Sequence, residues 1–223
     1  MSHTAREERH ALCHTLLATG PDAPTLCEGW RTRDLAAHLC LRERRPDAAA
    51  GVVLPALRGR TDRIRDEFAR LEWPALVDLV RTGPPAWMPT AVPRLDDLVN
   101  TGEFFVHHED VLRAEPTWSA SARRETGPRL QQALWAGLTR TGRMLFRRSP
   151  VGVVLVAEGF GRRAVKRPPD PGGDPAKAHG TVVLRGLPGE LLLYGFNRKH
   201  VAQVVADGEP DDARQLARTS LGV

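Results

Sequence analysis

Of the 32 basic residues in this 223-residue chain, only Lys166, Lys177 and Lys199 are lysine, and tyrosine occurs once. The arginine skew, with abundant alanine, glycine and proline, is the composition expected of a protein encoded in a GC-rich genome. The net charge of +5 would suit a polyanionic partner. However, the clusters Arg42/Arg44/Arg45, Arg147/Arg148 and Arg162/Arg163 lie among carboxylates and lack interleaved aromatics on which bases stack, so nucleic acid is not expected as a partner. Cysteine is equally scarce. Cys13, Cys27 and Cys40 make an odd count without C-x-x-C spacing, which argues against a disulfide framework or a zinc ribbon and for reduced thiols. Long apolar runs are missing too. The stretch from Val151 to Ala157 is far below the ~18 residues of a membrane span, and a start containing Arg6, Glu7, Glu8 and Arg9 is no signal peptide. A cytoplasmic protein without membrane association is expected.

What is present is ordinary for a packed protein: 41% hydrophobic and 26% charged residues. The length suits one to two domains at about 150 residues each, enough to bury a core without structural metal. Any metal would therefore serve chemistry rather than folding.

Apolar periodicity predicts a helix over 4–19, closed by Gly20-Pro21, and a second opening near Thr32 with Asp34 in its first turn. Further helices are expected at about 61–71, from Trp73-Pro74 toward Arg81, at about 95–114 and at about 122–146. After Pro150 the pattern turns β-branched, with strands at 152–158, 181–185 and 201–206. Residues 187–194 read as a strand or a helix opened by Pro188, and 209–221 as a helix. The expected class is α+β: an N-terminal helical bundle over 1–149 and a small C-terminal α/β domain over 150–223.

One helix carries chemistry. At about 100° per residue, Glu103, His107 and Asp110 fall within roughly 60° of one another. Phe104 and Val111 flank this stripe on one side, Val99 and Val106 on the other. A polar stripe between apolar ones points into the bundle, where an unpaired carboxylate and imidazole cost several kcal/mol unless a divalent cation takes both as ligands. Glu-x-x-x-His is the minimal two-ligand clip, and His38, between Leu35 and Leu39, is the candidate third ligand. Taken alone, each part also has a plainer reading: an i,i+4 helix contact, and a hydrogen-bonded core histidine. His108 and Glu109 fall off the stripe and read as surface residues. Cys27 reads as a packed thiol without a partner.

The run Cys27-Glu28-Gly29-Trp30-Arg31-Thr32-Arg33-Asp34-Leu35-Ala36-Ala37-His38-Leu39 resembles the C-x-G-W-x-x-x-D-L-x-x-H-L opening of mycothiol-dependent maleylpyruvate isomerase-like proteins. The run from Glu103 to Ala114 resembles that family's E-x-x-x-H-x-x-D-x-x-R-A helix. The run from Gly180 to Tyr194 is similar to the sterol-carrier-like domain appended to many members. The resemblance implies a DinB-like four-helix bundle and a metal held by His38, Glu103 and His107. Two histidines and a carboxylate with open positions suit catalytic zinc, with iron(II) and nickel as alternatives. Asp110 is expected to orient a ligand or to pair with Arg113. The resemblance also implies that Arg198 reaches over the metal and holds an anionic group of the substrate or thiol cosubstrate, a task suited to the guanidinium fork. Asn197 stands where relatives often carry glycine, a mild departure because asparagine tolerates left-handed backbone.

The implied activity is metal-assisted activation of a low-molecular-weight thiol for isomerisation of, or S-transfer to, a small electrophile. The GC-rich composition fits an actinobacterial source, where mycothiol is the expected thiol. Two alternatives stand beside it. Activated water would make the protein a hydrolase, with Asp110 or Glu109 as base. A fourth protein ligand would make it a non-catalytic metal binder. The chain is expected as a monomer or homodimer.

Overall fold

The computed structural model describes residues 3–45, 47, 58–170, 172 and 179–222, and the first amphipathic stretch forms α1 (Thr4–Thr19) as its apolar spacing predicts. Gly20 ends it at φ 80°, a backbone conformation that glycine adopts without penalty. Helix α2 (Thr32–Arg44) follows. Thr32 is its first residue and Arg31 its capping position, where Asp34 Oδ2 accepts the backbone N–H of Arg31 at 2.9 Å. Then come α3 (Arg58–Ala69), α4 (Trp73–Thr82) and α5 (Pro93–Leu112), the last two with proline in the first turn.

The chain divides into two units, Met1–Ala122 and Arg123–Val223. In the first, Leu12 and Leu16 of α1, Leu35 and Leu39 of α2, Leu76, Val77 and Val80 of α4, and Phe104 and Val111 of α5 form one buried core. Four helices thus build the bundle. Helix α3 is an addition, packed on α2 through Ile64 and Phe68 against Leu41, with Phe68 also bordering the main core.

The expected division at 149/150 differs from the observed one. Helix α6 (Pro128–Leu145), anticipated as part of the bundle, belongs to the second unit, where it packs on the sheet and on the helix α7 described next. The physical reason is its apolar face: Leu134, Leu138 and Leu145 are buried, together with Phe146. The second unit continues with β1 (Gly152–Ala157), β2 (Gly161–Lys166), β3 (Thr181–Arg185), α7 (Pro188–Gly195), β4 (Val205–Asp207) and α8 (Pro210–Arg218). The sheet order is β2-β1-β3-β4, with β1 and β3 parallel and both outer pairs antiparallel. Segment 187–194 is therefore helical, and the last strand is shorter and later than its β-branched run predicts. Strand β2 has no counterpart in the sequence reading. It is an exposed edge of Gly-Arg-Arg-Ala-Val-Lys, whose charges protect an edge but erase apolar alternation.

Helix α6 meets β2 closely at Gly142, where an added Cβ would lie 2.6 Å from Val165 Cγ1. Gly142→Ala is expected to destabilise the unit by ~1–3 kcal/mol through overpacking. Thermal denaturation checks this, and an unchanged melting temperature would mean that the contact yields freely.

Candidate metal centre

Helix α5 is buried along almost its whole second half, from Phe104 to Val111. This corrects the reading of His108 and Glu109 as surface residues: they are 4% and 1% exposed. Tertiary partners account for it. His108 contacts Glu8 Oε1 at 2.9 Å through Nδ1 and Thr15 Oγ1 at 2.8 Å through Nε2. Arg113 Nε donates to Glu109 Oε2 at 2.5 Å and its guanidinium lies over Trp118. Each buried charge off the stripe has an opposite charge or polar partner.

On the stripe itself, three donors converge. His38 Nε2 lies 3.6 Å from Glu103 Oε1, His107 Nε2 lies 3.2 Å from the same oxygen, and all three ligand atoms fall within 4.8 Å of one another. With bonds near 2.0 Å, a tetrahedral ion separates its donors by about 3.3 Å, so the spacing fits a small divalent cation. Among the described residues the group contains no fourth histidine, cysteine or carboxylate ligand. His38 comes from α2, the other two from α5, and the imidazoles stand edge to face at 5.4 Å. Trp30 covers His38 at 5.1 Å between ring centres, and Arg65 lies over Trp30.

Asp110 lies against the far side of the His107 ring. Its Oδ2 accepts from His107 Nδ1 at 3.0 Å, which fixes the ring so that Nε2 faces Glu103 and His38. Arg113 pairs with Glu109. The same Oδ2 accepts the Cys27 thiol at 3.2 Å, and Cys27 Sγ lies 4.0 Å from His107 Nδ1. Cys27 thus has the aspartate and histidine neighbours that no sequence signal revealed. The loop carrying it is pinned to α5 by the Leu26 N–H bond to Asp110 O, 3.0 Å long. Cys27, His107 and Asp110 form a second cluster of potential ligands that shares His107.

The electrostatics match a site built for positive charge. Burial disfavours charge on Glu103, but Arg42, His107 and His38 together hold its carboxyl well below the usual range. Burial likewise opposes charge on His107, yet Asp110, Cys27 and Glu103 outweigh it and raise its pKa well above the ordinary value. Burial dominates for His38, whose pKa is lowered, leaving a neutral imidazole ready to ligate. Sequence reasoning passed over Arg42, whose Nε lies 3.4 Å from Glu103 Oε1. Its position one turn after His38 was the available signal.

Arg198 lies in the second unit, in the turn after α7, where its Nη1 donates to Phe196 O at 2.7 Å. Asn197 adopts φ 67°, the left-handed backbone anticipated for that position.

Asp110→Asn is expected to keep the fold and to lower affinity for a divalent ion by about 10–100-fold, the usual cost of losing a ligand's supporting partner. Competition with a chromophoric chelator measures it, and unchanged affinity would remove Asp110 from the site.

A helical bundle with a buried two-histidine, one-glutamate cluster, followed by a small α+β unit, defines the class of architecture. No protein-family model matches the chain, and no curated protein sequence matches it. Among solved structures the chain is similar to the crystal structure of the mycothiol-dependent maleylpyruvate isomerase, with a TM-score of 0.55 and 17% identity over 92% of this chain and 90% of that one. It is also similar to a histidine-to-alanine mutant of the mycothiol-dependent maleylpyruvate isomerase, with a TM-score of 0.50 and 15% identity over the same shares. At such identity the likeness is one of fold, and it is the fold that the sequence motifs implied. No helix among the described residues is long and apolar enough to cross a membrane.

Proposed function

We propose that this protein is a metal-dependent enzyme that activates a low-molecular-weight thiol, mycothiol, for isomerisation of or S-transfer to a small electrophile. The observation that carries the reading is the convergence of His38, Glu103 and His107 without a fourth ligand among the described residues. The shared fold with an isomerase that depends on mycothiol supports it.

Zinc is the first candidate for this donor set, ahead of iron(II) and nickel. Bound there, the cation would supply a Lewis acid that lowers the pKa of a thiol from its free value of about 8.5 and yields a nucleophile at neutral pH. The chain's own residues do the remaining work. Asp110 keeps the proton of His107 on Nδ1, and Cys27 holds Asp110 in turn. Trp30 shields His38 on one side. Arg198 is assigned the anionic group of the thiol or substrate. In isomerisation the thiolate sulfur adds to one carbon of a conjugated double bond, the bond rotates while single, and elimination restores the double bond and releases the thiolate. In S-transfer the new carbon–sulfur bond stays.

The hydrolase reading needs a free base, and neither candidate is free: Glu109 is tied to Arg113, and Asp110 to His107 and Cys27. The test is turnover of a panel of α,β-unsaturated carbonyl compounds by zinc-loaded protein with mycothiol, with glutathione and with no thiol. Turnover that requires mycothiol is expected. Thiol-independent hydrolysis, or none with any thiol, would overturn the proposal.

A further inference from the structure

The second unit gathers arginines that no carboxylate answers. Between Pro128 and Pro169 the only acidic residue is Glu158. Strand β2 carries Arg162 and Arg163 and is followed by Arg167, while α6 has Arg143 in its last turn and leads into Arg147 and Arg148; all six are exposed. The expectation that Arg147/Arg148 and Arg162/Arg163 lie among carboxylates is not met in the folded unit. None of the six arginines has an ion-pair partner among the described residues, whereas Arg185 and Arg214 of the same unit face Asp207 and Asp211.

Packing puts the two sets side by side. Lys166 Nζ donates to Arg147 O at 2.9 Å, and Gly142, next to Arg143, lies against Val165. The end of α6 and the edge strand therefore make one basic face, which runs about 13 Å along β2 from Arg162 to Lys166 at ~3.3 Å per residue. Like charges held together repel one another, and a dense external anion relieves that repulsion.

The chemistry of the face selects the anion. A guanidinium fork matches a pair of phosphate oxygens, and six such groups call for negative charge at close, regular spacing, which a DNA duplex carries every ~1.7 Å of its axis. The register shift between Val153 and Val154 marks a bulge in the β1–β2 pair, which with the charges turns the edge away from pairing with an acidic strand. Trp135, Phe146 and Tyr194 are buried and Phe160 is half-buried, so the bases of a single strand find no stacking platform. Met144 is the one exposed large apolar side chain between Pro128 and Pro169 among the described residues, too little to anchor the face in lipid.

We propose that this face binds the phosphodiester backbone of double-stranded DNA without reading its sequence. The metal centre has no part in it.

The test is fluorescence anisotropy of the full chain with a labelled DNA duplex of about 20 base pairs at about 50 and about 200 mM salt. Binding is expected at the lower salt and should weaken about 10²–10³-fold at the higher, as neutralisation of about 4–6 phosphates requires. R147E/R148E and R162E/R163E reverse exposed charges. Each pair is expected to weaken binding at low salt at least about tenfold and to flatten the salt dependence, with the circular dichroism spectrum unchanged. If one pair alters the spectrum, the other decides. R63E/R70E makes the same change in net charge at exposed positions of the first unit and is expected to bind like the natural chain. An equal loss in R63E/R70E would assign binding to net charge and overturn the proposal. So would no binding at low salt, tighter binding of the corresponding single strand, or capture of the chain by phosphatidylserine-containing vesicles but not by the duplex.

Discussion

Glu103→Ala is expected to retain almost none of the divalent metal that the natural chain holds at about one equivalent, an effect larger than the roughly 10–100-fold that loss of a supporting partner costs. Glu103 is the only carboxylate of the set, and its Oε1 faces both His38 Nε2 and His107 Nε2. Its removal leaves two imidazoles and deletes the negative charge that makes a dication welcome. It also deprives Arg42 of its carboxylate, so a cation would meet a net positive environment. Glu103→Gln separates the two contributions: it keeps the shape, loses the charge, and is expected to behave like the alanine variant. Elemental analysis of protein purified without a histidine tag, before and after reconstitution, is the measurement. Added zinc should also raise the melting temperature of the natural chain but not of either variant, because a ligand that binds only the folded state stabilises it by mass action. Metal-free natural protein after reconstitution, or equal metal in the variants, would return Glu103 and His107 to a helix contact.

The second large effect lies away from the cluster. Arg9 of α1 donates through Nη2 to Glu43 Oε1 at 2.5 Å and to Asp96 Oδ1 at 3.2 Å, tying α1 to α2 and α5, and all three side chains are buried. Its guanidinium also lies 4.7 Å from the centre of the Phe104 ring. Arg9→Met removes the cation from between two buried carboxylates, and breaking such a pair costs about 3–5 kcal/mol. Denaturant unfolding at pH 8 should register that loss. At pH 5 the loss should be smaller, since the stranded carboxyls can then take up protons. An equal effect at both pH values would mean that solvent reaches the pair.

The natural chain carries a pH dependence of the same origin. Burial pushes the Glu43 carboxyl up from its ordinary 4.5 to about 7, with Arg9 opposing and Asp96 adding to the rise. Between those values the folded state binds more protons than the unfolded one. Stability therefore falls as pH rises from about 4.5 to 7, by roughly 2–4 kcal/mol on linkage. Glu43→Gln should flatten this slope. A slope identical to that of the natural chain would assign it to another group.

Much of the candidate site was legible because helical spacing is a local property. Glu103, His107 and Asp110 share a stripe by arithmetic, and His38 was singled out by its apolar neighbours Leu35 and Leu39. Two of the errors involve partners distant in sequence. His108 looked exposed because its angular position on α5 departs from the stripe, yet Glu8 lies 100 residues away and meets it in the core. Cys27 looked inert because Asp110 is 83 residues distant. Strand β2 escaped because an edge strand needs no apolar alternation. Helix α6 was credited to the bundle because its amphipathic face specifies burial but not the surface it is buried against.

Local sequence determined the class of fold, most helices and the residue types of the ligand set, since propensity, capping and periodicity act over a few residues. Only the tertiary structure decided that His38 meets Glu103, that Asp110 and Cys27 come together beside His107, that Arg42 stands at the cluster, and where the two units divide. Those outcomes depend on which faces pack together, and burying a charge is tolerated only where a remote partner compensates it.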